Sequence, residues 1–126
     1  MNVSSRPDLN VLVVEDDALV AWDVETALLD AGCLVVGPAN GIARALELME
    51  SHKLDLVVLD LNLGTDSSAP IADRLQEKGI PFLFLSGHSR EFLPQRHRER
   101  PLVAKPFHPS LLIRAVQQAI DYSAAH

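Results

Sequence analysis

Cysteine is almost absent. Cys33 is the sole one in 126 residues, so no internal disulfide can form, and no Cys/His cluster has zinc-finger spacing. A basic excess is also missing. Lys and Arg number 11 against 17 Asp and Glu, a net charge of −6, with a pI near 5.2. Such a chain has little with which to offset phosphate, which argues against a nucleic-acid binder or a partner for anionic membranes. No apolar run approaches the roughly 20 residues of a membrane-spanning helix. The stretch Met1–Asp8 lacks the apolar centre of a signal peptide. There is no internal repeat, no low-complexity tract and no glycine-rich phosphate loop after the first apolar run. What is present is ordinary globular composition, 48% hydrophobic and 22% charged. The expectation is one soluble, cytoplasmic domain over residues 9–122, with short tails at 1–8 and 123–126.

Strand and helix signals alternate along it. Leu9–Val14 is a continuous apolar run that stops at Glu15-Asp16-Asp17, as a strand buried on both faces would. Val20, Val24, Ala27, Leu28 and Ala31 then fall on one helical face, with Gly32 placed to end the helix. Cys33–Gly37 reads as a second strand and Gly41–Ser51 as a second helix, with Ile42, Ala45, Leu46 and Met49 inward. Leu54–Leu59 is a third strand, ending at Asp60. A turn-rich loop, Asn62–Ser68, precedes a short helix with Pro70 in its first turn and Gly79 at its end. Ile80–Leu85 is a fourth strand, closing at Ser86-Gly87. Pro94 breaks the stretch Ser89–Arg100, which predicts a short or irregular helix. Pro101–Ala104 is a fifth strand and Pro109–Tyr122 a final helix, with Leu112, Ala115, Val116, Ala119 and Ile120 inward. Five βα units in a row imply a parallel sheet with helices on both faces. Ligands of such sheets bind beyond the carboxyl ends of the strands.

At those ends stand Glu15-Asp16-Asp17, Asp60, Ser86-Gly87 and Lys105-Pro106. Each has an ordinary reading. The acids could cap a helix, Asp60 and Ser86 could be turn residues, and Lys105 could be a surface lysine. Those readings must all hold independently, whereas one site explains all four. Converging carboxylates repel unless a cation joins them, and a hard divalent ion bound by a few oxygens and waters is the pattern of Mg²⁺. Such an ion would hold a phosphoryl group against one carboxylate, with the lysine and hydroxyl opposite.

The pieces Val11–Asp17 (Val-Leu-Val-Val-Glu-Asp-Asp), Leu56–Leu63, Phe84–Gly87 and Lys105-Pro106-Phe107 resemble those of response regulator receiver domains, in order and in spacing. The likeness runs from Leu9 to Ile120. It implies a flavodoxin-like (βα)₅ α/β sandwich, with a parallel five-stranded sheet of order 2-1-3-4-5. It implies a phosphoacceptor in a two-component or phosphorelay system rather than an enzyme with a separate substrate. Asp60 matches the aspartate that takes a phosphoryl group from a phosphohistidine on a histidine kinase or histidine phosphotransfer protein. Asp16 and Asp60 match direct ligands of Mg²⁺ (or Mn²⁺), Glu15 a ligand through water, and Asn62 a ligand through its main-chain carbonyl. Ser86 matches the switch hydroxyl and Lys105 the lysine that pairs with phosphoryl oxygens. Asp17 is left as a helix cap, and the bond before Pro106 is expected to be cis. The likeness leaves open a downstream protein target and a phosphorylation-dependent homodimer.

Two departures stand out. Leu102 occupies the position, three before the lysine, where many receivers carry an aromatic switch residue, and Pro94 breaks the fourth helix. The block Pro81–His88, with Asn62-Leu63-Gly64, resembles an alphaproteobacterial receiver subgroup with a Pro-Phe-x-Phe-x-(Thr/Ser)-Gly fourth strand, many of whose members are single-domain or associate with unusual histidine kinases. Asn62 and His88 hold positions that tune acyl-phosphate lifetime in the family. Arg90, Arg96, Arg98 and Arg100 with His97 read as a solvated basic patch or a docking surface. Trp22 reads as half-buried packing on the first helix, with a binding role left open because histidine phosphotransfer partners of the family dock on that face, and Cys33 as an inert buried residue. No output region follows Tyr122, so the chain reads as a stand-alone receiver or a fragment. The competing function is a phosphorylation-independent interaction module on the same fold. An aspartate-nucleophile phosphatase is disfavoured, because Asn62 stands where its general acid would.

Overall fold

The computed structural model describes residues 9–125; the tail expected over 1–8, and His126, lie outside the described residues. The first strand, β1 (Asn10–Val14), buries all but its first residue. Successive side chains of a strand leave opposite faces, and both faces here meet apolar layers. Val11 and Val13 join a core with Val24 and Leu28 of α1 (Ala18–Asp30) and Leu112 and Val116 of α4 (Pro109–Ala125). Leu12 and Val14 join the opposite core, with Leu48 and Met49 of α2 (Ile42–Ser51) and Ile71 and Leu75 of α3 (Ala69–Lys78).

The other strands are β2 (Leu34–Ala39), β3 (Leu56–Asp60), a two-stranded hairpin of β4 (Asn62–Leu63) and β5 (Asp66–Ser67), β6 (Phe82–Ser86) and β7 (Leu102–Ala104). The main sheet has five strands in the order β2-β1-β3-β6-β7, all pairs parallel. Counted without the hairpin, this is the expected order 2-1-3-4-5. Phe82 and Phe84 are fully buried on β6 with ring centroids 5.6 Å apart, edge to face. A fully buried side chain of this size contributes roughly 2 to 3 kcal/mol.

The fourth connection departs from the βα pattern. Between β6 and β7 there is no α-helix, only two 3-10 turns over Arg90–Phe92 and Gln95–His97. The cause is Pro94. It offers no N–H, and it holds Leu93 extended, at φ −71° and ψ 146°. Arginines then take the carbonyls that a helix would satisfy internally. Arg90 Nη1 donates to the carbonyls of Arg98 (2.8 Å) and Arg100 (2.6 Å). Arg98 Nη2 donates to those of Glu91 (3.2 Å) and Leu93 (3.1 Å). The expected basic patch is therefore largely internal bracing. His97 is buried against Phe82 and Phe84, with Nε2 2.7 Å from Asp73 Oδ1. Arg96 grips the same carboxylate at 2.6 and 2.8 Å. Arg100 is buried between the rings of Phe82 and Tyr122, its guanidinium carbon 4.2 and 4.6 Å from their centroids.

Other corrections are smaller. Trp22 is 69% exposed rather than half-buried, because Ala21, Val24 and Leu28 define the inward face of α1 and Trp22 lies one residue around from it. Helix α4 runs on to Ala125, past Tyr122. The second strand starts at Leu34 and reaches Ala39. The Lys105–Pro106 bond is cis as expected, and so is Gly37–Pro38. Cys33 is buried, which pushes its thiol pKa up.

Candidate functional site

The chain leaves β1 for β2 on one side and returns to β3 on the other, so strand order switches between β1 and β3. The loops leaving two such neighbours diverge and open a cleft beyond their carboxyl ends. Here the cleft is about 390 Å³ and is lined by Glu15, Asp16, Asp60, Asn62, Ser86 and Lys105, among others. A larger one, about 460 Å³, lies apart from these groups, between Trp22, Asp23 and Thr26 of α1 and Phe107, Pro109 and Ile113.

Sheet register brings the predicted residues to one level. Asp60 lies opposite Leu85, next to Ser86, and Ser86 lies opposite Ala104, next to Lys105. The Lys105 N–H also donates to the Ser86 carbonyl at 2.8 Å. Glu15 and Asp60 are buried, 2% and 4% exposed. Between them sits the Lys105 ammonium, with Nζ 2.8 Å from Glu15 Oε1 and 3.2 Å from Asp60 Oδ1. Glu15 Oε1 is fully buried and has no other partner among the described residues. Glu15 Oε2 accepts the Asp17 N–H at 3.1 Å.

These contacts set the charges. Burial, then the neighbouring Glu15 carboxylate, pushes the Asp60 pKa up to about 7 against the pull of Lys105. For Lys105, burial alone would lower the pKa, but the two carboxylates outweigh it and hold it above the usual lysine value. Asp17 caps α1, its side chain accepting from the N–H groups of Leu19 (2.9 Å) and Val20 (3.3 Å). Its carboxylate is turned to that cap, while its main chain borders the cleft.

Asp16 is exposed, and its Oδ2 accepts the Gly64 N–H at 2.8 Å. The Asn62 N–H points at Asp60 Oδ1 over 3.4 Å. The Ser86 hydroxyl accepts the His88 N–H at 2.9 Å, a bond along its own loop. Glu15, Asp16 and Asp60 each offer an oxygen within 4.8 Å of the others. Hard oxygen donors so grouped, one of them a buried atom facing only an ammonium, fit a small divalent cation that keeps part of its water. The contact of Gly64 was not anticipated from sequence. Its one signal is a glycine at a turn whose other partner is 48 residues away.

Residues 11–117 match the family model described as response regulator receiver domain. The chain belongs to the response regulator receiver family. Receiver domains are the phosphoacceptor elements of two-component signalling and bind Mg²⁺ at an acidic pocket, and this receiver carries such an acidic cluster. It is 35% identical over 115 residues to the transcriptional regulatory protein PdtaR of Mycobacterium tuberculosis, an alignment covering 88% of this chain and 56% of that one. The crystal structure of the response regulator PhyR from Brucella abortus superposes with a TM-score of 0.82 at 29% identity, over 98% of this chain and 52% of that one. A receiver protein from Sinorhizobium medicae gives a TM-score of 0.77 at 27% identity, over 92% and 97% of the two chains. The chain thus spans about half the length of the curated relatives that it matches.

Proposed function

We propose that this receiver accepts a phosphoryl group on Asp60 from a phosphohistidine of a histidine kinase or histidine phosphotransfer protein, and that the phosphorylated form changes its binding to a downstream protein. The observation that carries the proposal is the Lys105 ammonium held between two buried carboxylates at the switch point of the sheet, with Asp16 alongside.

Asp16 and Asp60 would hold Mg²⁺ (or Mn²⁺) directly, Glu15 through water and Asn62 through its carbonyl. When bound, the ion supplies positive charge among the carboxylates and the phosphoryl oxygens. Lys105 pulls Asp60 toward its ionised form in a site whose burial favours the neutral acid. An Asp60 oxygen then attacks the phosphorus of a phosphohistidine protonated on its other ring nitrogen, the bond from phosphorus to the imidazole nitrogen breaks with its electron pair going to that nitrogen, and neutral histidine leaves. The Lys105 ammonium pairs with a phosphoryl oxygen. Ser86 gives up the His88 N–H and turns its hydroxyl to donate to the acyl phosphate. In this reading the chain assists its own phosphorylation and dephosphorylation and has no separate substrate. The exposed Trp22 and the apolar cleft beside α1 support docking of the phosphohistidine partner on that face. Partners are proteins, with no nucleic acid or membrane, in the cytoplasm. The described residues contain no helix long and apolar enough to cross a membrane. Pairing of two phosphorylated copies would be one form of output.

The test is intact mass after incubation with Mg²⁺ and a small phosphodonor. A gain of one phosphoryl group, dependent on Mg²⁺ and absent in Asp60→Asn, is the expected result. No gain, together with no binding of Mg²⁺ or a beryllofluoride mimic, would favour the phosphorylation-independent interaction module.

A further inference from the structure

We propose that Gly64 is a positioning residue for divalent-cation binding: its main-chain N–H holds one oxygen of Asp16 so that the other is presented to the ion. The inference rests on reading Glu15, Asp16 and Asp60 as the cation site, and it concerns how the exposed member of that trio is oriented.

The three carboxylates are not equally constrained. Glu15 and Asp60 are buried and tied to Lys105. Asp16 is exposed, and the Gly64 N–H, 2.8 Å from Oδ2, is the hydrogen bond its side chain makes among the described residues. A free aspartate would sample its staggered rotamers. Ordering it at the moment of binding would cost affinity, and a bond made beforehand removes that cost. An N–H donated to a carboxylate is of the stronger, charge-assisted kind.

The donor is itself well held. Gly64 sits at the turn of the β4–β5 hairpin, between the paired residues Leu63 and Asp66. One leg is anchored by Leu63, buried in the core beside α2 and α3. The other ends at Ser68, fully buried, whose N–H and Oγ both donate to the Leu61 carbonyl at 3.0 and 2.9 Å. The turn closes because Gly64 adopts φ +64°, a left-handed conformation that glycine reaches without strain. Room is not the constraint, since a Cβ on Gly64 would come no nearer than 3.9 Å, to Asp16 Oδ2. Backbone conformation is, and that separates two substitutions. Asn tolerates the left-handed region, whereas a β-branched residue does not.

The experiment measures Mg²⁺ affinity by calorimetry and Mn²⁺ affinity by electron paramagnetic resonance on the full chain, with metal-free melting curves alongside. Gly64→Asn should bind within about twofold of wild type, and Gly64→Val about fivefold more weakly, the share of a partly exposed charged hydrogen bond. Without metal, Gly64→Asn should melt close to wild type and Gly64→Val a few degrees lower, the cost of a β-branched residue at positive φ, with both still folded at the temperature of the binding measurement. Wild-type affinity in Gly64→Val would overturn the inference, as would equal weakening in both variants. Absence of Mg²⁺ and Mn²⁺ binding by wild type would overturn the cation-site reading itself, and this inference with it.

Discussion

Replacing Lys105 by Met tests whether its ammonium is what allows two buried carboxylates to lie side by side. The ammonium nitrogen is 2.8 Å from Glu15 Oε1 and 3.2 Å from Asp60 Oδ1. At an effective dielectric constant of about 20, these separations correspond to Coulomb energies of about 6 and about 5 kcal/mol. Most of that is offset by taking three charges out of water and by repulsion between the carboxylates. Removing one member of a buried ion pair nevertheless costs about 3 to 5 kcal/mol, because the remaining charge is stranded. The pH decides how much of this is seen. Asp60 is raised in the folded protein to about 7, by burial first and Glu15 second. A folded-state pKa above the unfolded one gives stability that is full below about pH 4 and is lost as pH rises through the folded value. Without Lys105 the folded value climbs further, so the loss deepens at high pH. Lys105→Met should therefore cost about 1 kcal/mol at pH 5 and about 3 kcal/mol at pH 8. Urea unfolding followed by far-ultraviolet circular dichroism, in a chelator at each pH, gives both numbers. Saturating Mg²⁺ should narrow the gap at pH 8. Equal losses at the two pH values, or none at either, would refute the reasoning.

His88→Ala should change the rate at which phosphorylated protein loses its phosphoryl group by more than it changes Mg²⁺ affinity, read by the decay of the intact-mass signal; equal decay rates in the two proteins would sink this. Asp73→Asn should lower the melting temperature at pH 7 by about 3 °C, the effect of about 1 kcal/mol in a domain of this size, since it weakens the contacts of Arg96 and the buried His97. Arg96, then His97, holds the Asp73 pKa down to about 2. Its stabilisation is present above the usual carboxylate value and is lost as pH falls through about 2, so the two melting temperatures should converge between pH 4 and pH 2; a gap that is constant with pH would count against it.

Most of the fold could be read from the sequence, because a strand buried on both faces leaves a simple trace. Leu-Val-Val-Leu before Asp60 and Phe-Leu-Phe-Leu before Ser86 are continuous apolar runs, each stopped by the polar residue that register then brings to the cleft. What escaped is long-range or made by side chains on backbone. His97 is a polar letter among arginines, and only the tertiary fold shows it buried on Phe82 and Phe84. Trp22 was misplaced because the apolar stripe of α1 is set by small residues, Ala21 and Ala27 with Val24 and Leu28, and a large ring beside a narrow stripe is left outside. The β4–β5 hairpin is two residues on each side, too short for any periodicity to register. The grip of Gly64 on Asp16 joins positions 48 apart, which no local pattern encodes.

The missing helix between β6 and β7 changes how this face yields. A helix opens cooperatively, because each turn depends on the bonds of its neighbours. The stretch from Ser89 to Arg100 is instead fastened by separate arginine-to-carbonyl contacts, two from Arg90 and two from Arg98. The two bonds of each arginine share one nitrogen and are released together, so the segment can loosen in two steps while Leu93, His97 and Arg100 stay buried. A partner pressing on the surface next to Ser86 would therefore work against two side-chain clasps set between buried anchors, where a helix would resist as one unit.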